Sequence, residues 1–333
     1  MISVGFVGLG LIGARRFHIA QKMGCRIAFA IDPDPARWAS LQVEGCHYAS
    51  SIAELNTVEQ GPVDAIFIAI PHDLAHSACR WALERKAHVL CEKPLGITLA
   101  EAGAIRSQSK AAGLHLCAGF NYRFLSGVAA MRDLLREGGL GDLHRVRICM
   151  AHGGRPGMEA EWKLQRKRAG GGALIDPGIH LVDLVRHLFG EPEVVDCDLR
   201  RRFWNVDVED NCSLRLRIGS AEVTIDVSLT SWKNLFSIEA FGRDGLILLN
   251  GRGGNYGVQT VEYVNRWFWN GKDRRSLQDF GTPDMSFELE TRAFLRKVLD
   301  GTPDSVLSTA EDGCEALRIV EAAYAAAVTR PAS

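Results

Sequence analysis

Three places in this sequence carry residue types suited to chemistry. Gly8-Leu9-Gly10-Leu11-Ile12-Gly13 fits G-x-G-x-x-G and stands between a β-branched run and a helical pattern, the context that loop requires. The first glycine permits a tight turn, the second lets backbone approach a pyrophosphate, and the third allows close helix–sheet packing. Phosphates would sit over Gly10, Leu11 and Ile12, where the unpaired N–H groups and dipole of a helix start favour negative charge. Asp32 closes the second apolar run about 20 residues on, where a carboxylate accepts from the adenosine ribose hydroxyls. A carboxylate there repels a 2′-phosphate and favours NAD over NADP, whereas nearby Arg37 argues the other way.

The other two places are suited to proton transfer. Oxidising an alcohol needs a base for the hydroxyl proton and a group that steadies the developing oxyanion. Lys93 follows a strand pattern at the end where parallel sheets bind their ligands, and its ammonium can hydrogen-bond a reacting oxygen. Asp176 and His180 stand one helical turn apart and so share a face. Pro177 disfavours helical geometry at Asp176, so Asp176 is expected as the N-cap, with His180 in the first turn where the dipole favours a neutral ring. Each also has a purely structural reading: Asp176 as a cap, Lys93 as a surface lysine, His180 as a packed side chain.

Further substrate contacts are expected from Tyr122 and Arg123, at a domain cleft, and from Arg155, Trp162 and Lys163 in an irregular Gly- and Arg-rich stretch. The basic run 163–168 also reads as a solvated loop. Asn265-Arg266-Trp267-Phe268-Trp269 reads as a sheet face or subunit interface without chemistry.

The elements that must position these residues fall into two patterns. Up to about residue 120, strands (2–7, 26–31, 64–70, 88–91, 115–119) alternate with helices (12–23, 35–43, 73–85, 99–112). This alternation predicts a parallel, doubly wound α/β sheet covered on both faces. Beyond it, a helix (128–137), a strand (143–150) and a helix (177–189) precede a run of strands (194–203, 211–218, 222–229, 236–241, 246–249) and two closing helices (287–299, 310–328). That order predicts an α+β domain with a large, mostly antiparallel open sheet. The expected division is 1–120 and 121–333.

Lys and Arg total 39 against 40 Asp and Glu, for a formal net charge of −1. That balance gives no electrostatic reason for a nucleic-acid or membrane partner, and a small-molecule substrate is expected instead. The 9 cysteines show no zinc or disulfide spacing and read as reduced thiols in the cytoplasm, with no metal site. The longest apolar run, 65–71, is too short to span a bilayer.

Taken together, Ile70-Pro71-His72, His76 and Ala87-His88-Val89-Leu90-Cys91-Glu92-Lys93-Pro94-Leu95, with Gly170-Gly171-Gly172-Ala173-Leu174-Ile175-Asp176-Pro177-Gly178-Ile179-His180 and Asp183, resemble the glucose–fructose oxidoreductase / inositol dehydrogenase / rhizopine catabolism protein family. Arg123-Phe124 and Gly139-Leu140-Gly141-Asp142 fall where the family has similar residues, and the likeness is weakest over 250–280. The resemblance implies an NAD(P)-binding Rossmann domain followed by a substrate and oligomerisation domain. It adds Ile70, Pro71, His76, Glu92 and Lys93 to the cofactor side and sets Lys93, Asp176 and His180 as the catalytic group. It also implies hydride transfer with a secondary hydroxyl of a sugar, cyclitol or polyol, by a homodimer or homotetramer. NAD-dependent glycoside hydrolysis through transient oxidation, or a ligand sensor on the same scaffold, are the alternatives. Ser126, where many members have proline, and Pro177, inside the Asp-to-His motif, depart from the family pattern near the substrate side.

Overall fold

The computed structural model describes residues 1–58, 61–266, 275–281 and 283–328. Its contacts divide the chain into two compact units. The first holds Met1–Phe120 together with Phe287–Glu315, and the second holds Asn121–Ser286 with the chain from Ala316 onward. The chain is thus not split once at residue 120, because its late segment 287–315 returns to the first unit.

The first unit is built on six strands: β1 (Ser3–Val7), β2 (Arg26–Ile31), β3 (His47–Ala49), β4 (Ala65–Ile68), β5 (His88–Glu92) and β6 (Leu116–Gly119). All pair in parallel in the order β3-β2-β1-β4-β5-β6. The helices between them are α1 (Leu11–Lys22), α2 (Pro35–Ala39), α3 (Ile52–Leu55), α4 (His72–Glu84) and α5 (Leu99–Ala112). β1 and β4 are buried along their whole length, as interior parallel strands covered by helices must be. Phe6 ties β1 to its neighbours through rings centred 5.2 Å from Phe17 and 5.0 Å from Phe67. α2 stops short of the expected Val43 because the Tyr48 hydroxyl competes for the backbone there, donating to Leu41 O at 2.5 Å and accepting from Val43 N–H at 3.1 Å.

The second unit carries an eight-stranded sheet: β7 (Leu143–Ala151), β8 (Glu193–Arg200), β9 (Asn211–Ile218), β10 (Ala221–Ser228), β11 (Leu235–Gly242), β12 (Gly245–Asn250), β13 (Thr260–Asn265) and β14 (Arg275–Asp279). Its order is β14-β13-β12-β11-β7-β10-β9-β8, antiparallel throughout except where β7 meets β10. Ala221, Val223, Ile225 and Val227 of β10 all point into the core, the two-residue alternation of a half-buried strand. The opposite face is laced by cross-strand pairs such as Arg145–Glu222 and Arg147–Glu239, both at 3.8 Å. Helices α6 (Ser126–Arg136), α7 (Arg166–Ala169) and α8 (Ile179–Phe189) complete the unit. The aromatic segment Trp267–Trp269 lies outside the described residues.

Two closing helices follow, α9 (Ser286–Asp300) and α10 (Ala310–Val328). Within the first unit, α9 is held by a charge. Arg16 of α1 is fully buried, and its guanidinium meets Glu92 at 2.7 Å, Glu290 at 2.6 Å and the Thr291 hydroxyl at 3.4 Å. Burial opposes the positive charge, but Glu92 and Glu290 more than offset it and raise the Arg16 pKa. Among the described residues, no helix is long and apolar enough to cross a membrane.

Arg16→Ala is expected to cost about 3–5 kcal/mol, the range for breaking a buried ion pair by removing one partner; urea unfolding of the purified chain checks it. A second expectation concerns protons. The rings of His88 and His115 stack at 4.8 Å, and His115 N–H donates to His88 Nδ1 at 2.9 Å. Burial lowers the His88 pKa, helped by His115 and opposed by Asp64, and burial also lowers that of His115. Their contribution to stability is therefore complete above the unfolded histidine value near about 6.5 and is lost as pH falls through the lowered folded values. The thermal midpoint is expected to drop from pH 7 to pH 5, and His88→Gln to flatten that drop.

Candidate active site

The glycine loop of the first unit has the shape its spacing demands. Gly8 has φ +91°, and a Cβ there would lie 2.2 Å from Ala69 O and 2.7 Å from Ile70 Cγ2. A Cβ on Gly13 would lie 1.9 Å from Gly8 O, so any side chain there drives α1 off the loop. Gly10 caps α1 in extended geometry, and Leu11, just inside the helix, is 88% exposed. The helix start is thus free to face an anion. Asp32 is buried at the end of β2 and accepts from Leu9 N–H (2.7 Å), Asp34 N–H (3.0 Å) and Arg37 Nη1 (3.1 Å). The carboxylate therefore holds the glycine loop, and Arg37 is drawn toward it. Pro71 caps the start of α4, and His76 lies one turn into that helix.

Glu92 and Lys93 differ in their surroundings. The Glu92 carboxylate is turned to Arg16, with Oε1 2.8 Å from Nε, so Glu92 has a structural role in the first unit. Lys93 stands just past the C-terminal end of β5, half-buried, and its peptide bond to Pro94 is cis.

In the second unit the Asp-to-His motif folds differently from expectation. Asp176 is not an N-cap. Leu174–Gly178 form one π-helical turn that runs into α8. Pro177 has no N–H for the carbonyl of Ala173; Gly178 N–H takes its place at 2.9 Å, and Asp176 N–H donates to Gly172 O at 3.0 Å. The widened turn thus absorbs the proline, and the open N–H end lies a turn upstream of His180. Its cap is Glu209, which is buried and accepts from Gly172 N–H and Leu174 N–H, both at 3.0 Å, and from the Tyr324 hydroxyl at 2.8 Å. Burial, then the Glu209 charge, raise the Tyr324 pKa, so that hydroxyl stays a donor. The triple glycine follows from this crowding. A Cβ on Gly171 would lie 2.0 Å from the Tyr324 hydroxyl, and one on Gly172 2.0 Å from Glu209 O.

His180 is buried, and its ring stacks on Tyr122 with centroids 4.0 Å apart and planes 10° from parallel. Arg123, the neighbour of Tyr122, makes a bidentate pair with Asp183, Nε to Oδ2 at 2.8 Å and Nη2 to Oδ1 at 2.6 Å. Both are buried. Arg123 is thus committed to α8, not to substrate, and it fixes Tyr122 against His180. Lys163 Nζ lies 3.1 Å from Asp176 Oδ2, and Trp162 lies beneath the same ammonium at 5.7 Å. Arg155 is 68% exposed and turned to Glu161 at 2.7 Å, so it belongs to the rim.

Residues 2–120 match the oxidoreductase family with an NAD-binding Rossmann fold, and residues 128–248 match the GFO/IDH/MocA C-terminal domain. The chain belongs to this oxidoreductase family. It is 32% identical over 206 residues to the 2,7-anhydro-N-acetylneuraminate hydratase of Escherichia coli (strain K12), covering 59% of this chain and 52% of that protein. To the scyllo-inositol 2-dehydrogenase (NADP(+)) of Bacillus subtilis (strain 168) it is 22% identical, over 83% and 80% of the two chains. The chain spans about half the length of two of the curated relatives it matches. A solved structure of levoglucosan dehydrogenase with NADH and levoglucosan superposes with a TM-score of 0.86 at 21% identity, over 98% of this chain and 97% of that one. That likeness is one of fold.

The family pattern did not point to every group around the motif. His152, just past β7, takes Gly154 N–H on Nδ1 at 3.0 Å, so its proton sits on Nε2 when neutral. Burial lowers its pKa against the opposing pull of Asp176, with Lys163, Arg252 and Arg155 adding to the lowering. Arg252 and Tyr256 come from the loop after β12. The signals available in sequence were a histidine closing a strand and an arginine set among glycines, Gly251-Arg252-Gly253-Gly254.

Tyr324→Phe is expected to remove about 1.5–3 kcal/mol of stability, the cost of one hydrogen bond to a charged group. Glu209→Ala, which also leaves two N–H groups bare, is expected to cost clearly more. Thermal and urea unfolding of the two variants give the comparison.

Proposed function

We propose that this chain is an NAD-dependent dehydrogenase that moves a hydride between nicotinamide and a secondary hydroxyl or keto group of a sugar, cyclitol or related polyol. The reading rests on one observation above others: a member of this family carries the open glycine-loop helix start together with Lys93, Asp176 and His180. Gly8, Gly10, Leu11, Ile12 and Gly13 would hold the pyrophosphate, Asp32 the ribose, and Ile70, Pro71 and His76 the rest of the dinucleotide. A bound nicotinamide supplies the hydride acceptor.

On oxidation the carbinol C–H bond breaks with its electron pair leaving as hydride, the O–H proton leaves to a base, and C=O forms. His180 and Lys93 are the two groups proposed for that oxygen, one taking the proton and the other hydrogen-bonding the developing negative charge. Tyr122 covers one face of the His180 ring and so fixes its orientation. Asp176, paired with Lys163, is proposed to bind and orient the substrate. The Asp32 carboxylate favours NAD over NADP, while Arg37 leans against it. The names of relatives that act on levoglucosan, inositol and an anhydro sugar support a polyol class.

The hydratase relative also favours a second reading, transient oxidation followed by elimination or hydration with no net change in the cofactor. The assembly we propose is a homodimer or homotetramer, as the family resemblance implies. A reducing, cytoplasmic setting fits the nine cysteines, all free thiols, including Cys197 and Cys212 with sulfurs 3.9 Å apart.

NADH is expected to raise the thermal midpoint more than NADPH, and no shift with either would sink the cofactor assignment. A polyol panel followed at the nicotinamide absorbance separates the two readings, since the second gives no net reduction. His180→Ala is expected to lower turnover by roughly 10²-fold or more with NADH binding intact. Full activity in that variant would remove His180 from the mechanism.

A further inference from the structure

Three of the cations expected to meet substrate have carboxylate partners within the second unit. Arg123 is paired with Asp183, Lys163 with Asp176 and Arg155 with Glu161. Arg252 differs. Its guanidinium carbon lies 3.9 Å from the centre of the Tyr256 ring and 5.0 Å from that of Tyr122. Tyr122 in turn stacks on His180. Arg252 makes no ion pair with any described residue, and its Nε is removed from water without an acceptor. The Asp284 carboxylate, close enough for its charge to act on Arg252, is engaged by Ser286, whose N–H and hydroxyl donate to it at 3.0 and 2.5 Å.

The loop that carries Arg252 is built, not loose. Gly251 N–H donates to Phe236 O and Gly253 N–H to Gly257 O, both at 2.9 Å, and Tyr256 N–H to Gly253 O at 3.1 Å. Gly251 sits at φ +72°, where a Cβ would lie 2.0 Å from Val258 O. The positive charge is therefore held at a set place on aromatic faces, with a side-chain hydrogen bond to Tyr256, and the stacking leaves the in-plane Nε–H without an acceptor. A planar anion satisfies such donors best.

We infer that Arg252, flanked by Tyr122 and Tyr256, is a subsite for a carboxylate on the substrate, which makes a sugar acid, rather than a neutral polyol, the preferred class. A single guanidinium with no carboxylate in direct contact matches a monoanion. A phosphate dianion would call for a second cation, and Lys163, Arg123 and Arg155 already have carboxylate partners. The inference deepens the dehydrogenase reading and rests on it for turnover, but binding at Arg252 is testable apart from it.

The test is calorimetric titration, with NADH saturating, of D-glucuronate, D-galacturonate and D-gluconate against D-glucose, D-galactose and D-sorbitol. At least one acid is expected to bind 10-fold or more tightly than its neutral counterpart. Arg252→Gln is expected to weaken that acid by about 10–100-fold, the range for a hydrogen-bonded charge, and to change the neutral sugars by less than about 2-fold. Arg252→Lys, which keeps the charge and loses the planar fork, is expected to fall between, and it decides the matter if the glutamine variant does not fold as judged by its NADH-induced thermal shift. Acids that bind no better than neutral sugars, or an acid preference that survives in both variants, overturn the subsite. Selective acid binding with no change at the nicotinamide absorbance leaves the subsite standing and sinks net dehydrogenation instead.

Discussion

The carboxylate of Glu209 lies under the turn that displays Asp176 and His180, and that turn depends on it. A helix start leaves backbone donors unmet, and here two of them, with the Tyr324 hydroxyl, converge on one buried oxygen. The negative charge suits the positive end of the helix dipole, so the same group serves as cap and as counter-charge. Its demand for close approach excludes side chains at Gly171 and Gly172. The proline inside the motif is tolerated because the first turn opens to a π-turn and Gly178 N–H reaches back to Ala173 O. Chain segments far apart in sequence, 170–180, Glu209 and Tyr324, thus form one local structure.

The first unit repeats the device with the opposite sign. Arg16 is buried and positive, and it gathers Glu92 from β5 and Glu290 from α9. A buried charge network of this kind adds less net stability than apolar packing of the same volume would. It does make the arrangement specific, because each partner left alone is a buried charge. That accounts for the return of α9 to the Rossmann sheet, and for Glu92, at the end of β5, being used for architecture while its neighbour Lys93 remains the candidate for chemistry.

These two carboxylate–cation and carboxylate–amide centres also mark where sequence reading reached and where it stopped. Local rules were enough for the glycine loop, because its spacing, its flanking strand and its helix all lie within a dozen or so residues. The α/β alternation and the strand run of the second unit were legible for the same reason, as was the antiparallel sheet. What was not legible depends on partners distant in sequence. Asp176 was read as a cap because the true cap, Glu209, lies far along the chain. Arg123 was read as a substrate contact because nothing local announces its pairing with Asp183, 60 residues further along the chain. The strand β3 is too short to stand out by periodicity, and β14 carries too few apolar residues. The return of 287–315 to the first unit rests on contacts such as Glu290 with Arg16 and Phe294 with Phe67, which no helix pattern contains.

The division of labour within the site follows from the same geometry. His180 is locked by a stacked ring on one side and, through Arg123 and Asp183, by its own helix, so its position tolerates little variation. The groups that surround it are of another kind. His152 comes from a strand end, Lys163 from an irregular stretch and Arg252 from a glycine-bounded loop, and loops on a rigid scaffold are where binding specificity is varied. The family match in the second unit covers 128–248, and Arg252 lies just beyond it. The turn that bears Asp176 and His180 therefore lies within the stretch that matches the family, and the loop after β12 does not.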